Sequence, residues 1–215
     1  MISTKNLFQL PQLDVLKKLT QSMAMLDAII QRELEGRYYS FDARWDKGEQ
    51  MASMRNGEGD SWFLVFIEAG AFLKGFDHES KMSPWNNERL EVWPGVLGYV
   101  PDVFKPFLKE PAFSMEDTTF CVWQLRGDLQ WSRGDIRFPD GEDPDGSAWM
   151  LAILDGNPAT YWRWAEEYYQ RSVSRSAVEH IYSHKNLTDE IVNSLNPETS
   201  LADLVEDIAE IAYPG

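Results

Sequence analysis

The sequence has a single cysteine, Cys121, in 215 residues. One thiol excludes an intramolecular disulfide framework and a thiolate-rich zinc site, and it suits a reducing compartment. Positive charge is also in short supply. Lys and Arg number 20 against 35 Asp and Glu, a formal net charge of −15, and a surface of that sign repels a phosphate backbone. Nucleic acid is therefore not an expected partner. Long apolar runs are missing as well: the most apolar window, Trp62 to Leu73, contains Glu68 and Gly70, whereas a bilayer span needs about 20 apolar residues. The first residues, MISTKNLFQLPQLD, lack the apolar core and cleavage site of a secretory signal, so the sequence predicts a cytoplasmic protein with no membrane span. No Gly-x-Ser-x-Gly elbow occurs, and Asn56-Gly57-Glu58-Gly59 lacks the Lys and the Ser or Thr of a phosphate-binding loop. Both absences lean against an enzyme.

What the chain does have is aromatic bulk. Nine Trp, eleven Phe and eight Tyr supply far more buried area than a solvating polyanion needs, so the chain is expected to fold. From Asp14 to Glu35 the apolar positions Val15, Leu16, Leu19, Met23, Leu26, Ile30 and Leu34 recur three or four apart, with Gly36 at the C-cap position. This spacing predicts an N-terminal helix over about 14–35. Short apolar runs follow, Arg37 to Arg44, Gln50 to Arg55, Ser61 to Glu68 and Ala71 to Phe76. They are separated by Asp46-Lys47-Gly48, Asn56-Gly57-Glu58-Gly59-Asp60 and Ala69-Gly70, the turn chemistry of consecutive hairpins. From His78 to Gly98 the pattern breaks into a long surface connection with Trp85 and Trp93 as apolar anchors. A short helix then runs from Pro101 through Phe104 and Phe107 to a stop at Pro111. Strands are expected again over Asp117 to Arg126, Gln130 to Phe138 and Ala148 to Leu154. Asn157-Pro158 opens a helix, and Thr188 and Ser200 begin two more. Residues 1–215 thus read as a single α+β domain. It has an N-terminal helix, a mainly β part over about 37–154 built on a central antiparallel meander, and a helical part over about 157–213.

Candidate chemistry gathers at a few places. Asp77-His78-Glu79 stands where a strand ends and Asp60 opens its neighbour, so carboxylates and an imidazole can meet at one sheet edge as acid–base apparatus. Arg55 could hold an anionic group there by short-range bidentate contact. Strand ends also carry polar residues simply to meet solvent. His180 and His184, four apart, have the spacing that places two imidazoles on one metal, with surface or capping roles as the plainer alternative. The loop of Asp140, Glu142, Asp143 and Asp145 is dense in oxygen ligands but fails the EF-hand register, since the fifth, sixth and twelfth positions are Pro144, Asp145 and Leu151. The run Tyr161-Trp162-Arg163-Trp164 with Tyr168-Tyr169 puts rings on more than one helix face, so Trp162 is either a partner anchor or covered by the rest of the fold. No cofactor motif is present.

Several segments together carry a resemblance. Trp45, Gly48-Glu49, Met51 through Gly57, Gly59-Asp60, Gly75 through Pro84, Glu110-Pro111-Ala112-Phe113, Asp155-Gly156-Asn157-Pro158 and Leu187-Thr188-Asp189 resemble an uncharacterised family of bacterial cytosolic proteins over nearly the whole chain. That resemblance implies a bacterial setting and brings no activity. Val100-Pro101, Phe104-Lys105 and Phe107-Leu108 are similar to the Pro-helix segment of SUKH-type bacterial immunity proteins, although Glu110-Pro111-Ala112 stands where Asn-Gly-Gly follows in that family. The leading expectation is a non-enzymatic, acidic protein-binding domain of immunity or antitoxin type. Asp77, Glu79, Asp140, Glu142, Asp143 and Asp145 would steer a basic protein partner, and Trp162 would anchor it. The alternative is an enzyme or small-ligand-binding protein with a polar pocket at the end of the meander, built from Asp60, Asp77, His78 and Glu79 with Arg55. A homo-oligomer burying Trp85, Trp93 and the aromatic helix is the third possibility.

Overall fold

The structure, a computed structural model, describes residues 1–87 and 90–214. Its centre is a six-stranded antiparallel sheet in chain order, β1 (Tyr39–Asp46), β2 (Glu49–Arg55), β3 (Ser61–Ile67), β4 (Gly70–Phe76), β5 (Phe120–Leu125) and β6 (Ser132–Arg133). The α+β class and the meander are therefore as the sequence predicts. Alternation along the strands sends Trp62, Leu64 and Phe66 of β3 to one face and Phe63 and Val65 to the other, and each face carries its own core.

One face is covered by helices. Helix α1 (Leu13–Ile30) lies on the sheet, and α4 (Arg175–Tyr182), α5 (Asp189–Leu195) and α6 (Val205–Ile211) pack against it, with α3 (Pro158–Tyr168) on α4. Enclosed in this way, α1 is buried all round from Leu19 to Ile30. It ends five residues before the predicted boundary, because the chain must turn back so that Asp27 can accept the Tyr38 and Tyr39 amides at the start of β1. Arg37 takes up the carbonyls of Gln31 and Arg32 released at that end.

The other face is covered by irregular chain. The long connection after β4 and the 3-10 helix Asp102–Lys109, with Pro106 inside it, bring Phe104, Phe107 and Phe113 onto Phe63 and Phe72. Residues 88 and 89 of that connection lie outside the described residues. Trp93 anchors as expected, packing on this core. Trp85 does not: it is exposed, with its indole nitrogen donating to Asp117 at 2.9 Å.

Two predicted strands are corrected. Gln130 to Phe138 pairs only over Ser132–Arg133, since Gly134 then packs its backbone directly on Gly95 and cannot keep pairing with the sheet. Ala148 to Leu154 is helical, as α2 (Ser147–Leu151) and a 3-10 turn to Asp155. A short apolar run does not reveal its own period, and here the Asp143 carboxylate settles it by accepting the Ala148 and Trp149 amides of the first turn. Among the described residues no helix is long and apolar enough to cross a membrane.

Candidate functional site

Pairing of Ser61 with Phe76 in the β3–β4 hairpin fixes the site. Asp60 precedes one strand and Asp77 follows the other, so the pairing sets the two carboxylates side by side, both buried. Asp60 Oδ1 accepts the His78 amide at 2.9 Å and lies 2.7 Å from His78 Nδ1, while Oδ2 accepts from Asn56 Nδ2 at 2.6 Å. Asp77 Oδ1 accepts the amides of Glu79 and Ser80, and its Oδ2 accepts the Trp149 indole N–H at 2.8 Å. The imidazole is held by one edge, with Nε2 3.9 Å from Glu79 Oε1. Its hydrogen bond to Asp60 draws the His78 pKa upward.

The two aspartates border a cleft of about 400 Å3 lined by Asp60, Asp77, Glu79, Ser80, Lys81 and the loop from Gly141 to Pro144 with Trp149. Gly146 holds the second wall close. Its φ is +77°, and a Cβ there would fall 2.2 Å from Asp77 Oδ2, so any side chain would push the carboxylate aside. Lys81 donates to the Asp140 carbonyl at 2.9 Å and so spans the two walls. Ser80 is 6% exposed, and its hydroxyl has no hydrogen-bond partner among the described residues. A buried hydroxyl left unpaired in the wall of a polar cleft is an unmet demand for a ligand atom or a water. Trp149, by contrast, is 44% exposed. Neither residue stood out in the sequence, although Ser80, three residues after an Asp that ends a strand, is where an Asx-type turn folds back.

Of the other expected site residues, only Glu142 and Asp143 reach the lining of this cleft. Arg55 is exposed and stacks on the Phe63 ring at 5.2 Å, outside the lining of the cleft. Asp140 and Glu142 are exposed, as steering charges must be, but Asp143 is occupied in capping α2. Asp145 is buried, binding the hydroxyls of Thr4 and Ser147, and cannot steer a partner. Trp162 is not a free anchor: it packs on the helical core, donates its indole N–H to the Val173 carbonyl at 2.9 Å and carries the Arg175 guanidinium over its ring. His180 and His184 do not share a helix face. His184 falls beyond the end of α4 with φ +54° and packs its ring, tilted, against that of Tyr213, while His180 Nε2 contacts the Asn186 carbonyl.

A larger concavity, about 710 Å3, lies at the opposite end of the sheet around the β1–β2 and β3–β4 turns. Its four basic residues, Lys17, Arg44, Lys47 and Arg126, are balanced by Asp14, Asp46, Glu49 and Glu68, and none of these eight is buried. The smaller cleft is the one with buried polar chemistry. Comparison of the chain with protein-family models, curated proteins and solved structures gave no match, so the site is read from its own geometry.

Proposed function

We propose that this protein binds a small, positively charged ligand in the cleft at the end of the β3–β4 hairpin. The observation that carries this reading is the pair of buried carboxylates, Asp60 and Asp77, beside the unpartnered hydroxyl of Ser80. Charge selects the sign of the ligand. Glu79, Glu142 and Asp143 add to the two aspartates, against Lys81 alone among the lining cations. The half-open indole of Trp149 offers a ring face to an amine or guanidinium. This reading takes the second of the two functions expected from the sequence over the protein-binding one. Two features on which a steering-and-anchoring surface depended, Asp145 and Trp162, are engaged within the fold.

Ser80→Ala is the clean test because it removes a hydroxyl without a hydrogen-bond partner among the described residues. The variant should be as stable as the parent or more so, by up to about 1 kcal/mol, since a buried unpaired polar group costs free energy. It should nonetheless lose the thermal stabilisation that small amines and guanidines confer on the parent. Equal stabilisation of parent and variant by these compounds, or equal stabilisation of the parent by matched carboxylic acids, would overturn the reading.

A further inference from the structure

We propose that Asp60, Asp77 and His78 form a binding site for a divalent first-row transition-metal ion, an inference that rests on reading the cleft as a cation site. Each of the three offers one ligand atom, and these atoms lie within 4.8 Å of one another. Ligands about 2.0–2.2 Å from a bound ion stand roughly 3–4 Å apart, so small side-chain adjustments complete the arrangement.

Three further observations favour a cation. First, neither Asp60 nor Asp77 pairs with Lys or Arg among the described residues, and the only ion pair to either is from His78. Two buried carboxylates that close together call for a positive charge, and the nearest lining ammonium, Lys81, is turned to the Asp140 carbonyl. Second, both aspartates keep coordinating capacity. The Oδ2 atom of each accepts one hydrogen bond, which leaves it a lone pair, and binding of His78 through Nδ1 would put the ion in place of the proton shared with Asp60 Oδ1. Third, Ser80 of the same cleft wall carries a hydroxyl that is closed to solvent and unpartnered among the described residues, and a rotation about its Cα–Cβ bond is what would bring it to a water of the ion's shell.

The donor set narrows the metal. An imidazole beside two carboxylates suits Mn2+, Fe2+ or Zn2+ better than Mg2+ or Ca2+, which favour all-oxygen sites, and the absence of thiolate disfavours Cu+. Three protein ligands leave coordination positions open toward the cleft, where water or a ligand donor can enter.

The test uses the full chain stripped of metal with a chelator and titrated calorimetrically with Mn2+, Zn2+ and Mg2+ at pH 7. His78→Gln is the main variant, because the His78 side chain is 43% exposed and its replacement leaves the core untouched. One equivalent of Mn2+ or Zn2+ should bind, Mg2+ more weakly, and His78→Gln should weaken the transition metals by about tenfold or more. Bound Mn2+ should also broaden the NMR signal of the Trp149 indole N–H, which donates to Asp77. Binding unchanged in His78→Gln would overturn the inference. Stabilisation by amines that depends on Ser80, with no metal uptake, would overturn the metal site while leaving the cleft reading standing. Neither metal nor amine binding would overturn both.

Discussion

Two buried charged side chains, one under each face of the sheet, are treated differently. On the helix-covered face Asp27 is wholly buried and accepts three hydrogen bonds, from the Tyr38 and Tyr39 amides and from the Tyr161 hydroxyl at 2.5 Å. On the loop-covered face Lys74 is 1% exposed, with its ammonium between the rings of Phe63 and Phe76 at 5.7 and 5.8 Å and no ion pair among the described residues. Strand position explains the contrast. The edge strand β1 pairs only with β2, so donors at its start are free to meet a carboxylate. Lys74 lies in β4, whose backbone groups are committed to β3 on one side and β5 on the other, so ring faces are what remains for a cation. Burial pushes the Asp27 pKa up to about 6 in spite of its hydrogen bonds, and it pushes Lys74 down to about 8.

The largest effect should come from removing the better-satisfied group. Asp27→Ala leaves three buried donors without an acceptor and should cost about 3 kcal/mol or more in urea unfolding at pH 7. Asp27→Asn keeps an acceptor oxygen and should cost less. The pH dependence separates charge from hydrogen bonding. Because the folded-state pKa lies above the unfolded value, the penalty on the charged form is complete above about pH 6 and fades as pH falls toward 3.8. Wild type should therefore gain on Asp27→Asn by up to about 3 kcal/mol between pH 7 and pH 4. A difference that stays flat across that range would show that Asp27 folds with an unperturbed pKa.

Lys74→Met tests the opposite case and should stabilise the protein, by about 2 kcal/mol at pH 7. The expected gain is the cost of burying an ammonium less its ring contacts, with Met filling similar space. The folded pKa of Lys74 lies below its unfolded value, so its penalty is complete below about pH 8 and is relieved as pH rises toward 10.5. The advantage of Lys74→Met should shrink over that interval. Unfolding curves for the pair at pH 7 and pH 10 check this, and a variant less stable than wild type at pH 7 would mean that the rings fully compensate the buried charge.

Both buried charges were visible in the sequence as interruptions, Asp27 within the apolar stretch Met23 to Ile30 and Lys74 within the strand Ala71 to Phe76, but interruption alone does not tell burial from exposure. The hairpins were legible because their turns are written in Gly, Asn and Asp. Strand pairing then carried half of the candidate site: once Ser61 faces Phe76, Asp60 and Asp77 must be neighbours. The other wall was not legible. Trp149 reaches Asp77 only because Ala148 to Leu154 is helical, and that choice rests on a carboxylate five residues before Ala148 and a glycine at positive φ, neither of which alters the hydrophobic pattern. The end of α1 was misread for a related reason, since a tertiary hydrogen bond that Asp27 accepts from the Tyr39 amide outweighs the local C-cap signal of Gly36.

The smallest effects should sort the acidic loop that borders the loop-covered face. Side chains cap α3, α4 and α5 from the residue just before each helix, Asn157, Ser174 and Thr188, whereas α2 takes its capping carboxylate from Asp143, four residues before Ser147. Asp143→Ala should cost about 1 kcal/mol by releasing the first-turn amides of α2, and because α2 presents Trp149 to Asp77, the Trp149 indole N–H should exchange faster with solvent. Asp140→Ala removes an exposed carboxylate three residues away, while the Asp140 carbonyl that holds Lys81 remains, and it should fall within about 0.5 kcal/mol of wild type. Equal costs for the two variants would mean that the cap contributes nothing and that the helical choice at Ser147 is made by packing of Met150, Leu151 and Leu154 alone.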